Sequence, residues 1–190
     1  MVEFIGVDYG SKKAGTTALA FLDGEGIALR QCSKKDDADL WLEAEIKSLD
    51  PEWVFIDAPL GLPAVYTGAG NDYFYRKADR ECKAMSPMFL GGLTARAMKL
   101  RDSLKDRHFF ECYPGYLARN ILEWRDVYNK KVKLGANALG RLEERLPHSL
   151  NAEPSNWHQF DAVLCWLSAY RHKEGQSIAL GDPAEGLIIV

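Results

Sequence analysis

Two short apolar runs, Phe4-Ile5-Gly6-Val7-Asp8 and Trp53-Val54-Phe55-Ile56-Asp57, each end in an aspartate, and the stretch between them restricts how a sheet can be assembled. Val2, Phe4, Ile5 and Val7 read as a strand, and Gly10 and Gly15 bracket a turn that leads to a second strand over 16–22. Asp23-Gly24 between apolar runs signals a hairpin to a third strand over 27–32. Ala38, Trp41, Leu42, Ile46 and Leu49 then make one apolar stripe at helical spacing, stopped by Asp50-Pro51. A fourth strand reached through a single helix can pair parallel to the first by a right-handed crossover. Parallel neighbours lie about 4.8 Å apart and end on the same side of the sheet, so Asp8 and Asp57 can approach one cation. Carboxylates that close repel unless a metal ion or a proton compensates. Taken singly, each aspartate also suits the start of a turn, where its side chain bonds nearby backbone.

A chain of 190 residues is long enough for one well-buried domain and short for two. Its longest apolar runs fall below the roughly 18 residues that suggest a membrane span, and no basic-then-apolar leader opens it. Cys32, Cys82, Cys112 and Cys165 lie far apart without paired spacing, which argues against a disulfide scaffold or a zinc knuckle and for a reducing, cytoplasmic setting. The formal charge of -3 counts against a protein that grips nucleic acid by charge alone. Metal-binding carboxylates, however, make a total acidic, and bound divalent ions restore positive potential where a phosphate must sit.

Ala58-Pro59-Leu60-Gly61-Leu62-Pro63 reads as a stiff loop, followed by helices over 72–85 and 93–107. Between residues 66 and 107 nine Lys and Arg outnumber five Asp and Glu, and Tyr66, Tyr73, Phe74 and Tyr75 are interleaved with them. Such a segment can hold phosphates and stack bases; equally, it can be a solvated face whose rings enter the core. His108 to Pro114 reads as a fifth strand with Glu111 near its end. Short helices are expected over 115–124 and 137–146, with a basic loop over 129–133 between them. In the last helix Asn156 can cap, with Gln159 three residues on, and Phe160, Val163, Leu164, Leu167 and Tyr170 supply a core stripe. Asp161 lies beside that stripe and past the first turn, so neither capping nor the helix dipole explains it. A carboxylate in such a partly buried place needs a partner. Two short strands, over 177–180 and 186–190, close the chain.

Phe4 to Asp8, the Ile56-Asp57-Ala58-Pro59-Leu60-Gly61-Leu62-Pro63 stretch, Arg76-Lys77-Ala78-Asp79-Arg80, Glu111-Cys112-Tyr113-Pro114, Phe160-Asp161-Ala162 and Ala184 to Ile189 together resemble the motifs of the domain-of-unknown-function 429 family, described as predicted ribonuclease-H-like nucleases. The opening, through Gly10-Ser11-Lys12-Lys13-Ala14-Gly15, is also similar to the start of RuvC-like and YqgF-like Holliday-junction resolvases. The resemblance implies an α/β ribonuclease-H-like fold over 1–190: a mixed five-stranded sheet of order 3-2-1-4-5 flanked by helices, a helical insertion about 64–107 after strand four, and a short C-terminal strand pair. It implies a metal-dependent nuclease with Asp8, Asp57 and Asp161 as catalytic metal ligands. Glu111 would be a further ligand or a water-orienting base. Mg2+ or Mn2+ would be the cofactor, with two ions about 4 Å apart. Lys12, Lys13, Arg76, Lys77 and Arg80 would hold the phosphates of DNA or RNA, and Asp79 would pair with a neighbouring arginine. A homodimer is compatible with this reading. One departure is that the helix over 36–49 aims no clear acidic residue at the site, as ribonucleases H proper do. Two rivals are a noncatalytic binding module of the same fold and an ATP-using domain of the actin/Hsp70/sugar-kinase superfamily. The latter needs two such domains and a second phosphate loop, which this chain lacks.

Overall fold

The computed structural model describes residues 2–190, and its organising strand is β1 (Phe4–Asp8), buried at all five positions. On one side β1 pairs antiparallel with β2 (Ala18–Asp23), which turns back into β3 (Gly26–Gln31). On the other it pairs parallel with β4 (Trp53–Asp57), reached through α1 (Ala38–Leu49). β5 (His108–Glu111) runs parallel to β4. β6 (Ala179–Asp182) and β7 (Gly186–Ile189) form an antiparallel pair, and β7 docks parallel on β5 where Ile188 meets Glu111.

The order is therefore β3-β2-β1-β4-β5-β7-β6. The first five strands follow the expected sequence, but the sheet has seven strands, not five. The C-terminal pair continues it past β5, burying Ile188, Ile189 and Val190 and covering an edge that would otherwise be open to another chain.

The helices after α1 are α2 (Lys77–Cys82), α3 (Pro87–Leu90), α4 (Gly92–Ser103), α5 (Pro114–Tyr116), α6 (Ala136–Glu143) and α7 (Trp157–Lys173). α2 is much shorter than the helix expected over 72–85. Asp72 instead accepts from the backbone N–H of Phe74 and Tyr75, closing a turn, and Lys83 ends the helix in the left-handed region. α5 runs directly into a π turn over Leu117–Ile121. Among the described residues no helix is long and apolar enough to cross a membrane.

The period-two alternation of strands sorts the two faces. Ile5, Val7, Val54 and Ile56 pack with Leu42 and Ile46 of α1 and Ala97 and Leu100 of α4. Phe4 and Phe55 pack instead with Phe160, Val163 and Trp166 of α7. By the same alternation Gly6, Asp8 and Asp57 fall on the α7 face. α7 sits directly on β1 because residue 6 has no side chain: a Cβ there would lie 2.0 Å from Trp166 N and 2.4 Å from Ala162 O. Backbone meets backbone, and Asp161 is carried to the end of β1.

Gly6→Ala is expected to destabilise by about 3 kcal/mol or more, the upper end for overpacking, because backbone atoms cannot rotate aside. Urea unfolding measures it; a change under about 0.5 kcal/mol, the range of neutral surface substitutions, would mean that α7 is not seated this closely.

Candidate metal centre

Three aspartates converge where β1, β4 and α7 meet. Asp8 and Asp57 are direct partners in the parallel register, and one carboxylate oxygen each of Asp8, Asp57 and Asp161 falls within 4.8 Å of the others. Each is delivered by a different local rule. Asp8 and Asp57 stand where buried strands stop. Asp161 is positioned by the register of α7, whose start is set by the Asn156 side chain accepting from the backbone N–H of His158 and Gln159 at 3.0 and 3.1 Å. Gln159 reaches back to the N–H of Ser155, at 2.8 Å, rather than to that of Asn156.

Electrostatics at this point are unfavourable to three bare carboxylates. Burial, then Asp8 and then Asp161, push the Asp57 carboxyl well above the usual carboxylate range. Asp161 is fully buried, and burial pushes it up to about 7 even though Lys130 and Tyr128 pull the other way. The Tyr128 hydroxyl donates to Asp161 Oδ1 at 2.9 Å. The Lys130 ammonium forms an ion pair with Asp161 Oδ2. Burial opposes the charge on Lys130, and Asp161 outweighs it, so the ammonium is held above its ordinary value. His158 Nδ1 lies 2.7 Å from Asp8 Oδ2, and that bond raises the imidazole above its usual range against partial burial. The cluster opens into a cleft of about 370 Å³ lined by Asp8, Asp57 and Lys130 and by Met85, Leu90 and Leu93 of the insertion.

Glu111 lines the same cleft but is already taken. Its Oε1 accepts from Arg76 Nη2 at 2.6 Å, and its Oε2 from Arg76 Nη1 at 2.7 Å and from the Leu60 N–H at 2.9 Å. Burial still raises its pKa against the pull of Arg76. Glu111, expected as a further ligand or a water-orienting base, thus has both oxygens on a buried arginine. Arg76, expected to hold phosphate, is buried beside it. Its side chain is 0% exposed, and it also donates to Asp79, from Nη2 to Oδ1 at 2.6 Å and from Nε to Oδ2 at 3.1 Å, so it offers no surface to a phosphate.

The other expected phosphate contacts lie at the surface. Lys12 and Lys13 stand 3.1 and 4.0 Å from Asp37, and Lys77 3.8 Å from Glu81, all with largely exposed side chains. Arg80 pairs with Asp72 and lies over the Tyr75 ring at 4.7 Å. Tyr66, Tyr73 and Phe74 are exposed rather than drawn into the core.

Sequence reasoning missed Tyr128, Lys130 and His158. His158 was within reach, since it precedes Asp161 by three residues and so shares its helix face. Tyr128 and Lys130 come from an irregular stretch without period, and no spacing ties them to Asp161. No family model, curated protein or solved structure matches the chain, so the likeness of its motifs stays a resemblance.

Proposed function

We propose that this chain is a metal-dependent hydrolase of nucleic-acid phosphodiester bonds built on a ribonuclease-H-like fold. The observation that carries the reading is the meeting of Asp8, Asp57 and Asp161 within 4.8 Å at the ends of two parallel strands. The β3-β2-β1-β4-β5 order around them supports the fold. The donor set fits Mg2+ or Mn2+: all three groups are hard oxygen donors, and the mutual repulsion that helps hold Asp57 above its usual range is what a bound cation would relieve. When bound, such an ion polarises a phosphoryl oxygen and acidifies a water. The chain's own residues do the rest. Asp8, Asp57 and Asp161 would hold the cation, and Tyr128 fixes Asp161 by its hydrogen bond to Oδ1. His158 orients Asp8 and can hold a proton at Nδ1. Lys12, Lys13, Lys77 and Arg80 supply exposed cations for the phosphate backbone.

The test is incubation with labelled single-stranded, duplex, hybrid and junction substrates in Mg2+, Mn2+ or EDTA. Cleavage that needs the ion and is lost in Asp8→Asn is expected. Binding without turnover would favour a noncatalytic module, and ATP turnover without strand cleavage would favour the nucleotide-using domain.

Replacing Lys12 and Lys13 together by alanine is expected to weaken binding about equally across sequences and to lower the salt slope by about two units. A slope unchanged from the parent would take both lysines off the nucleic acid.

A further inference from the structure

Within the proposed function, on which this step rests, we infer that the insertion after β4 carries a stacking platform for unpaired bases, so that the nucleic acid taken at the cleft is single-stranded there.

Every exposed Phe, Tyr or Trp among the described residues lies between 66 and 89: Tyr66, Tyr73, Phe74 and Phe89, at 49, 59, 52 and 62% exposure. Apolar side chains scattered singly over a surface need no explanation, whereas a patch of them marks an interaction site. These rings also touch one another. Phe74 and Phe89 lie 5.6 Å apart at 30°, Tyr75 meets Phe89 edge to face at 5.9 Å, and Tyr66 meets Tyr73 at 6.2 Å.

The backbone beneath the rings is fixed. The buried Ser86 hydroxyl donates to the Phe74 carbonyl and accepts from the Met88 N–H at 3.0 Å, and Thr94 donates to the Pro87 carbonyl at 2.8 Å. Phe74 and Phe89 are thus tied through one serine while their rings stay in solvent, which reduces the ordering cost of binding.

Place and charge select the ligand. Met85 and Leu90, at either end of α3, line the cleft together with Asp8 and Asp57, and Phe89 immediately precedes Leu90. Lys77, Arg80 and Lys83 are exposed on the adjoining α2 and its cap, and the Arg80 guanidinium lies over the Tyr75 ring. Asp72 and Glu81 offset two of these charges, which leaves a positive surplus. Flat π faces with cations among them match a chain of bases and phosphates. In a duplex each base face is covered by its neighbours, so only an unpaired strand can lay bases on the rings.

The experiment measures binding by fluorescence anisotropy in EDTA, where no strand is cut, for labelled single-stranded DNA and RNA and for the duplex of each. The proteins are the wild type, Phe74→Ala, Phe89→Leu and Phe89→Trp. The wild type is expected to bind a single strand at least about tenfold more tightly than its duplex. Phe74→Ala and Phe89→Leu should each lose about tenfold on the single strand, the scale of one stacked base, with duplex binding and salt slope unchanged. Phe89→Trp should keep the affinity, since it retains a π face where leucine keeps only apolar bulk. Equal affinity for single strand and duplex, or a Phe89→Leu protein that binds the single strand as the wild type does, would overturn the platform. A dimer that dissociates in Phe74→Ala, read by sedimentation, would assign the rings to a second copy and overturn it as well. Ring-dependent single-strand binding without ion-dependent cleavage would leave the platform standing and remove the hydrolase. No binding of any of these nucleic acids, in EDTA or in Mn2+, would remove both.

Discussion

Asp57→Asn is expected to abolish cleavage while making the ion-free protein more stable above about pH 7. Burial and the neighbouring Asp8 and Asp161 hold the Asp57 carboxyl well above its ordinary range, and Asp161 is pushed up to about 7 chiefly by burial. An acid whose pKa is raised by folding binds more protons in the native state than in the unfolded one. Its contribution to stability is therefore complete below about pH 4, where both states are protonated, and is lost as pH rises through the folded-state value. Without metal the wild type should lose stability between about pH 4 and 7 and beyond, at up to about 1.4 kcal/mol per pH unit for each group. An amide at 57 removes one of the repelling charges and flattens that profile. Mn2+ should restore the wild type at pH 8 and do less for the variant, because an ion that binds only the native state stabilises by its affinity. Turnover per folded molecule should fall on the order of a thousandfold, the scale of losing one preorganised electrostatic contact. Urea unfolding in EDTA across pH, beside cleavage rates, tests both halves. A variant that is less stable at pH 8, or that keeps its activity, would show that Asp57 is a structural carboxylate.

The parts of this centre that could be read from sequence are those set by local periodicity. Asp8 and Asp57 end apolar strands separated by one hairpin and one helix, and parallel pairing then places them opposite each other with no further information. Asp161 was visible because a carboxylate beside a core stripe, beyond the reach of the cap, needs an explanation. What stayed hidden depends on contacts between distant parts of the chain. Glu111 has the credentials of Asp57, a carboxylate at the end of a buried parallel strand, and only the arrival of Arg76 from 35 positions earlier decides that its oxygens are unavailable. The extent of the sheet was hidden for the same reason. β7 joins β5 through the single pairing of Glu111 with Ile188, and four-residue strands carry too little pattern to announce a neighbour. Helix lengths in the insertion failed locally, since Asp72 can serve either a helix or a turn, and the turn won.

Arg76→Ala is expected to cost 3 to 5 kcal/mol, roughly the loss found when one partner of a buried ion pair is removed, although the family resemblance implies a place for this arginine on the nucleic acid. Arg76, Asp79 and Glu111 are 0%, 1% and 5% exposed, so the deletion strands two carboxylates in a dry interior. Arg76→Lys should rescue little, because an ammonium cannot make the paired contacts of a planar guanidinium to two carboxylates. The sign of the pH dependence follows. With Arg76 gone, Glu111 loses the guanidinium that opposes the rise caused by burial, protonation relieves it, and the deficit should be largest near pH 8 and shrink below about pH 5. The damage should also reach the centre. Glu111 holds the Leu60 N–H, Arg101 Nη1 donates to the Leu60 carbonyl at 2.7 Å, and Gly61 lies so close to the Glu185 carbonyl that a Cβ would approach it to 2.4 Å. Loosening Glu111 therefore loosens the loop that leaves Asp57, and Mn2+ affinity should fall along with stability. Urea unfolding at pH 8 and pH 4.5, with Mn2+ titration of the folded fraction, measures both. A stable Arg76→Ala protein that had lost only nucleic-acid affinity would return the arginine to the phosphate backbone and leave Glu111 open as a ligand.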